Sequence, residues 1–92
     1  MNFVSVDAIS LGDTSKLTVG TTAIEKVFHG EQGAYILHNT GTDTAFITTN
    51  GDVATIDDFE LRENERITVN LNRISYIAVT GTVLKYTRYE NA

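Results

Sequence analysis

Short runs in which apolar and polar side chains alternate are the feature that most constrains the fold of this chain. In "RITVNL" (66–71), Ile67, Val69 and Leu71 point to one side and the polar residues to the other. A period of two with β-branched residues is typical of a half-buried strand. Fourteen threonines also favour strands, and helical periodicity is hard to find. We predict an all-β fold: a single small antiparallel β-sandwich or barrel of six to eight short strands, with no substantial helix.

Two glycine-containing dipeptides predict tight turns between strands. Asn50-Gly51 predicts a type I′ hairpin in which the residues on either side of the dipeptide pair with each other. Thr80-Gly81 predicts a second hairpin, in which Val79 pairs with Thr82. The stretch "HNTGTDTAFITTNGD" (38–52) is then two turns that flank the strand "TAFIT", because Asn, Asp and Gly tolerate the backbone angles of turns.

The run "AYILH" (34–38) predicts a further strand, paired with "TAFIT" across the first of these turns. Both faces of this hairpin are apolar, so it needs cover on both sides, from the N-terminal third or from another subunit. "KLTV" (16–19) and "IEKVF" (24–28) are plausible strands for that cover, and "DDFELRENE" (57–65) is predicted as a loop or a single turn. We expect one domain over residues 1–92, with 1–32 as an N-terminal segment and candidate arm, and 33–89 as a hairpin-rich core.

Charge and composition restrict the classes of function. The chain has 92 residues, a net charge of −5 and no cysteine or proline. The absence of cysteine excludes disulfides and cysteine-based zinc or nucleophile chemistry. No apolar run reaches the ~18 residues that a membrane span needs, and no basic segment suited to nucleic acid is present. We expect no membrane and no nucleic-acid partner.

Reactive side chains do not form a recognisable motif. Asp57, Asp58 and Glu60 are the best candidate metal ligands, but the spacing of a calcium loop is absent, so we expect neither a metal nor a cofactor. His29 and His38 lack companions at ligand spacing, and no serine lies in a nucleophile elbow. We therefore expect a protein that is not an enzyme.

From Gly33 to Tyr89 the chain resembles a group of small β-rich virion proteins of tailed bacteriophages and prophages. The shared pattern is a strand leading into an Asn-Thr-Gly turn ("YILHNTGTDTAFI"), the turn "TTNGD", the run "FELRENERITVNL" and the closing "YIAVTGTVLKY". Residues 1–32 have no counterpart in this resemblance.

The resemblance implies a non-enzymatic structural protein of the virion, and in the first place a capsid decoration or cement protein that braces major capsid subunits and associates with copies of itself. A neck, tail or fibre component is the first alternative, and a glycan-binding module is the second. The candidate interface residues, each of which could equally belong to the core, are Tyr35, Leu37 and Phe46, or Tyr86 and Tyr89 with Phe3 and Val4.

Overall fold

Eight β-strands form the regular structure of the protein in a computed structural model, which describes residues 9–28 and 33–91. The strands are β1 (Ile9–Val19), β2 (Ile24–Val27), β3 (Gly33–Asn39), β4 (Ala45–Thr48), β5 (Phe59–Leu61), β6 (Arg66–Leu71), β7 (Arg73–Ala78) and β8 (Thr82–Asn91). The described residues contain no helix, so the all-β prediction is confirmed.

The strands form two four-stranded antiparallel sheets that pack as a sandwich. Sheet A has the order β1-β8-β3-β6, and sheet B has the order β2-β7-β4-β5. One flank of the sandwich is therefore formed by the edge strands β1 and β2, and the other by β5 and β6. The buried side chains between the sheets include Leu37 and Leu84 from sheet A and Ile74 and Leu61 from sheet B.

The predicted strands "KLTV", "IEKVF" and "RITVNL" are confirmed as parts of β1, β2 and β6. Residues 9–28 thus supply one edge strand to each sheet. β1 pairs with β8 from Ile9 opposite Asn91 to Val19 opposite Thr82, with an irregularity between Leu11 and Thr14.

Most connections pass from one sheet to the other, which makes the predicted hairpins wrong. Among the described strands, β4 and β5 alone are consecutive in sequence and lie in the same sheet. The predicted pairing of "AYILH" with "TAFIT" fails because β3 lies in sheet A and β4 in sheet B. Tyr35 and Leu37 face Ala45 and Ile47 across the core, and each sheet covers the apolar face of the other.

The predicted hairpin at Asn50-Gly51 is replaced by a longer loop. β4 pairs with β5, with Ile47 opposite Phe59, so residues 49–58 form the connection. Gly51 has a φ of 95°, but Asn64 is the one described non-glycine residue with a positive φ, so Asn50 cannot form a type I′ turn. The Asn50 side-chain oxygen instead accepts hydrogen bonds from the Thr48 hydroxyl and the Asp52 N–H, both at 2.9 Å.

The predicted hairpin at Thr80-Gly81 is also wrong, because β7 and β8 belong to different sheets. Val79, predicted to pair with Thr82, is 60% exposed at the crossing. The segment "DDFELRENE" was predicted as a loop or turn, but Phe59–Leu61 within it form β5. The three residues Phe-Glu-Leu are too few for their alternating pattern to distinguish a short strand from a loop.

A polar cluster around Asn39 holds the two sheets together at one end of the sandwich. Asn39 is fully buried, and its side-chain amide donates to the carbonyls of Asp43 and Leu61, both at 2.8 Å. Its oxygen accepts from the Gly41 N–H at 3.0 Å and the Thr82 hydroxyl at 2.8 Å. All four hydrogen-bonding positions of the amide are used. The sequence predicted a turn at this stretch, and in the structure Asn39 also joins sheet A to sheet B.

The Asp43 carboxylate caps the β7–β8 crossing from the same turn. It accepts hydrogen bonds from the Thr80 N–H at 2.8 Å, the Thr80 hydroxyl at 2.9 Å and the Gly81 N–H at 3.1 Å. The Thr80 and Gly81 backbone donors are the main cause that lowers the pKa of Asp43 from 3.8 to about 2. Gly41 is required here because a Cβ atom would contact the Thr82 hydroxyl and lie 2.8 Å from the Val83 nitrogen.

Candidate functional site

A concave surface lies on the flank formed by β5 and β6. It has a volume of about 540 Å³. We call it the β5–β6 groove, and it is lined by Ile47, Thr48, Thr49, Asn50, Asp58, Phe59, Ile67, Thr68 and Val69. The volume lies within the ~300–1,000 Å³ that is common for binding pockets.

Strand register explains why apolar side chains line this groove. Phe59 lies opposite Ile47, and Ile67 lies opposite Leu37, so both point to the core side of their sheets. β5 and β6 are edge strands, and along the groove their inward-facing side chains have cover from one side only, whereas Leu61 and Leu71, farther along the same faces, are buried. Phe59 is 56% exposed although it occupies an inward-facing position. Ile67 and Val69 are half-buried and pack against the core.

The groove lining carries one negative charge. Asp58 lines the groove, and its Oδ2 accepts the Thr55 N–H at 2.7 Å. No lysine or arginine lines the groove, and Glu60 lies on the outer face of β5, opposite Phe46. The groove is thus an apolar slot with a single carboxylate.

The candidate metal ligands do not form a site. Within the described ranges, no three His, Asp or Glu side chains lie close enough to hold a metal ion. Asp58 is used as the cap of the turn at Thr55, and Glu60 forms an ion pair with Arg62 at 3.3 Å. Asp57 is exposed, and its N–H donates to the Thr55 hydroxyl at 3.2 Å. These contacts account for the acidic stretch as loop structure.

Two of the predicted interface residues belong to the core. Leu37 is fully buried, and Tyr35 is buried against Phe28, with ring centroids 4.5 Å apart. Tyr86 is half-buried and packs edge-on against Phe28 at 5.1 Å. Tyr35 and Leu37 therefore cannot form a surface patch, because the sandwich covers the face they share.

The other predicted interface residues lie elsewhere. Phe46 is half-buried on the outer face of sheet B, opposite Ile77, and Tyr89 is half-buried near the end of β8. Phe3 and Val4 lie outside the described residues. Of the first predicted patch, Phe46 thus lies apart from Tyr35 and Leu37; the second patch includes Phe3 and Val4 and stays a prediction.

The side chains considered for catalysis are also used structurally. The His38 Nε2 lies 3.0 Å from the Asn64 side-chain oxygen and 3.4 Å from an Arg66 guanidinium nitrogen. The Ser75 hydroxyl accepts the Ala54 N–H at 2.9 Å and fixes the 49–58 loop to sheet B. His29 lies outside the described residues.

The sequence interpretation did not identify the β5–β6 groove. Its main residue, Phe59, lay in a segment assigned to a loop, and Ile67 and Val69 were assigned to the core face of a strand. The prediction that Ile67 and Val69 point inward was correct. The edge position of β6 could not be predicted, because it depends on the order of the strands in the sheet. A large aromatic residue beside a run of acids was the one available signal.

Comparison with known proteins adds no family assignment. No family model matches the chain, and no curated protein matches it. No helix within the described residues is long and apolar enough to cross a membrane.

Proposed function

We propose that this protein is a non-enzymatic structural component of a tailed-phage or prophage virion, and that it acts as a capsid decoration or cement protein. In this role it braces neighbouring subunits of the shell by docking against them. The proposal joins the sequence resemblance over residues 33–89 to the surface of the sandwich.

The observation that carries the proposal is that both flanks of the sandwich expose large apolar side chains. On one flank these are Leu11 from β1 and Ile24 and Val27 from β2. On the β5 side they are Ile56, from the loop that precedes β5, and Phe59, from β5 itself. Single exposed apolar side chains are common, but groups near two free sheet edges favour contacts on two sides. A brace between two neighbours needs such a surface.

The resemblance supports the proposal through the order of strands and turns. Two of its turn motifs are not hairpins in this fold, as the loop at 49–58 and the crossing at Thr80-Gly81 demonstrate. The virion setting thus rests on sequence pattern, and the docking role rests on the exposed flanks. Many copies that each make a modest interface would add up to a stabilised shell.

The alternatives receive unequal support. A neck, tail or fibre component would use the same two-sided docking, and it would differ from a capsid decoration protein in the number of copies per particle. A glycan-binding module needs a platform of exposed aromatic rings. Tyr35 and Tyr76 are buried and Tyr86 packs on Phe28, so Phe59 is the one aromatic ring that is largely exposed in the described part of the chain. No observation favours the glycan alternative over docking to protein.

Quantitative mass spectrometry of purified particles from the host strain tests the proposal. We expect the protein in the particles at a copy number comparable with that of the major capsid protein. About six or twelve copies would match a ring in the neck or tail and would move the protein there. Its absence from particles, with the protein present in the lysate, would refute the virion role.

A further inference from the structure

We propose that the β5–β6 groove binds an extended polypeptide segment of a partner protein, in which an apolar side chain is flanked by lysine or arginine. This inference rests on the docking role proposed above and specifies the chemistry of the partner at one flank.

The apolar part of the proposal comes from a gap between the edge strands. Phe59 points toward the core side yet remains 56% exposed, and Ile67 and Val69 across the groove are half-buried. A large apolar side chain placed between them would cover all three and complete the flank of the core. The volume of about 540 Å³ gives room for such a side chain and part of its backbone.

The extended conformation follows from the two free edges. β6 pairs with β3 alone, and β5 pairs with β4 alone. An edge strand has unpaired N–H and C=O groups, and an added strand can pair with them. A strand added to β6 sends alternate side chains toward the groove, so one apolar residue enters it while its neighbours point away.

The charge of the partner follows from the net charge of −5 and from the lining of the groove. Asp58 is the one charged residue in that lining, and no lysine or arginine lines it. Basic residues on either side of the apolar side chain point to the outer face of the sheet, and the net negative charge of the protein attracts them there. A second copy of the chain docked at the same groove would bring together two Asp58 carboxylates and two chains of the same net charge. A basic segment is attracted, so the charge favours a different protein as partner.

A titration followed by NMR tests the proposal with defined peptides. The isotope-labelled full chain is titrated with the capped peptide Lys-Val-Lys-Phe-Lys-Val-Lys. Two matched peptides replace either every lysine by glutamate or every apolar residue by serine. We expect amide shifts concentrated in 59–61 and 66–71 with the first peptide, and binding at least about fivefold weaker with each control. Raising NaCl from about 50 mM to about 500 mM should also weaken binding.

Two variants locate the contact. Phe59→Ala should weaken binding about fivefold or more. Val53→Ala, which truncates an even more exposed apolar side chain outside the groove lining, should leave binding unchanged. Asp58→Asn, which keeps an oxygen for the Thr55 N–H, should weaken binding about twofold to threefold and serves if the Phe59 variant does not fold.

Equal binding of the glutamate peptide, shifts that map away from β5 and β6, or binding insensitive to both groove variants would overturn the proposal. No binding by the lysine peptide would also overturn it. These results are independent of particle mass spectrometry, so a protein found in virions but inert to the peptides would retain its structural role and lose the proposed groove partner.

Discussion

Replacing Asn39 by alanine should cost much of the stability of the domain. The side chain is fully buried and joins the turn after β3 to β5 and β8. Alanine removes two donated and two accepted hydrogen bonds at once, and it adds no group that can replace them. The loss falls on the contacts that hold one sheet to the other.

The magnitude follows from how deeply each partner is buried. The hydrogen bonds to the Leu61 carbonyl and from the Thr82 hydroxyl are buried, whereas those to the Asp43 carbonyl and from the Gly41 N–H are partly buried. A buried polar group left without a partner lowers the free energy of unfolding by about 1–3 kcal/mol, whereas a partly buried group can form a hydrogen bond with water instead. We expect Asn39→Ala to lower the free energy of unfolding by about 3–5 kcal/mol, of a total of roughly 5–15 kcal/mol.

Urea unfolding followed by far-UV circular dichroism measures this loss. With a slope of about 1 kcal/mol per molar urea, the unfolding midpoint should fall by about 3 M or more. Thr82→Val removes one of the four bonds and should cost about 1 kcal/mol. Thr40→Ala is the control, because its exposed hydroxyl makes one long contact of 3.4 Å with the Val83 carbonyl. A loss below about 1 kcal/mol for Asn39→Ala would refute the role assigned to this cluster.

Three further predictions concern the core and the turns. Gly41→Ala should destabilise the fold by about 1–3 kcal/mol through overpacking against Thr82. Gly20→Ala, with open space around its Cβ position, should be neutral. Equal melting temperatures for the two variants would contradict this prediction. Leu37→Ala should cost about 2–5 kcal/mol in urea unfolding, and Val53→Ala less than about 0.5 kcal/mol; similar losses would argue against the assigned core. Because the folded pKa of Asp43 is about 2 and its reference value is 3.8, its ionised form stabilises the fold above pH 3.8, and this contribution is lost as pH falls toward 2. The melting temperature of the wild type should thus fall more steeply between pH 4 and pH 2 than that of Asp43→Asn, and parallel curves would exclude this linkage.

Local sequence pattern was sufficient to predict strands but not their partners. The alternation in "RITVNL" correctly placed Ile67, Val69 and Leu71 on one face, because side-chain direction depends on the backbone of a single strand. Pairing depends on which strands meet in space. Asn50-Gly51 and Thr80-Gly81 looked like hairpin turns, yet side-chain caps from Asn50 and Asp43 stabilise other conformations there.

The site was less predictable than the fold for the same reason. Tyr35 and Leu37 were predicted as candidate docking residues because the predicted hairpin that contained them had two apolar faces. In the structure β3 and β4 lie in opposite sheets, so those faces are the two sides of one core. Phe59 is exposed at one end of the edge strand β5 while Leu61 on the same face is buried, and no run of residues encodes that position by itself.

The position of β8 has a consequence for how the protein forms during synthesis. β8 lies between β1 and β3, so the sheet that contains the first described strand lacks its central member until residues 82–91 have left the ribosome. Until then β1 has no neighbour in its own sheet, and its backbone groups remain open to aggregation or to chaperones. A loop that joins residues 9–19 to residues 82–91 must close before that sheet gains any stability, so we expect slow folding in which loss of β8 disrupts β1.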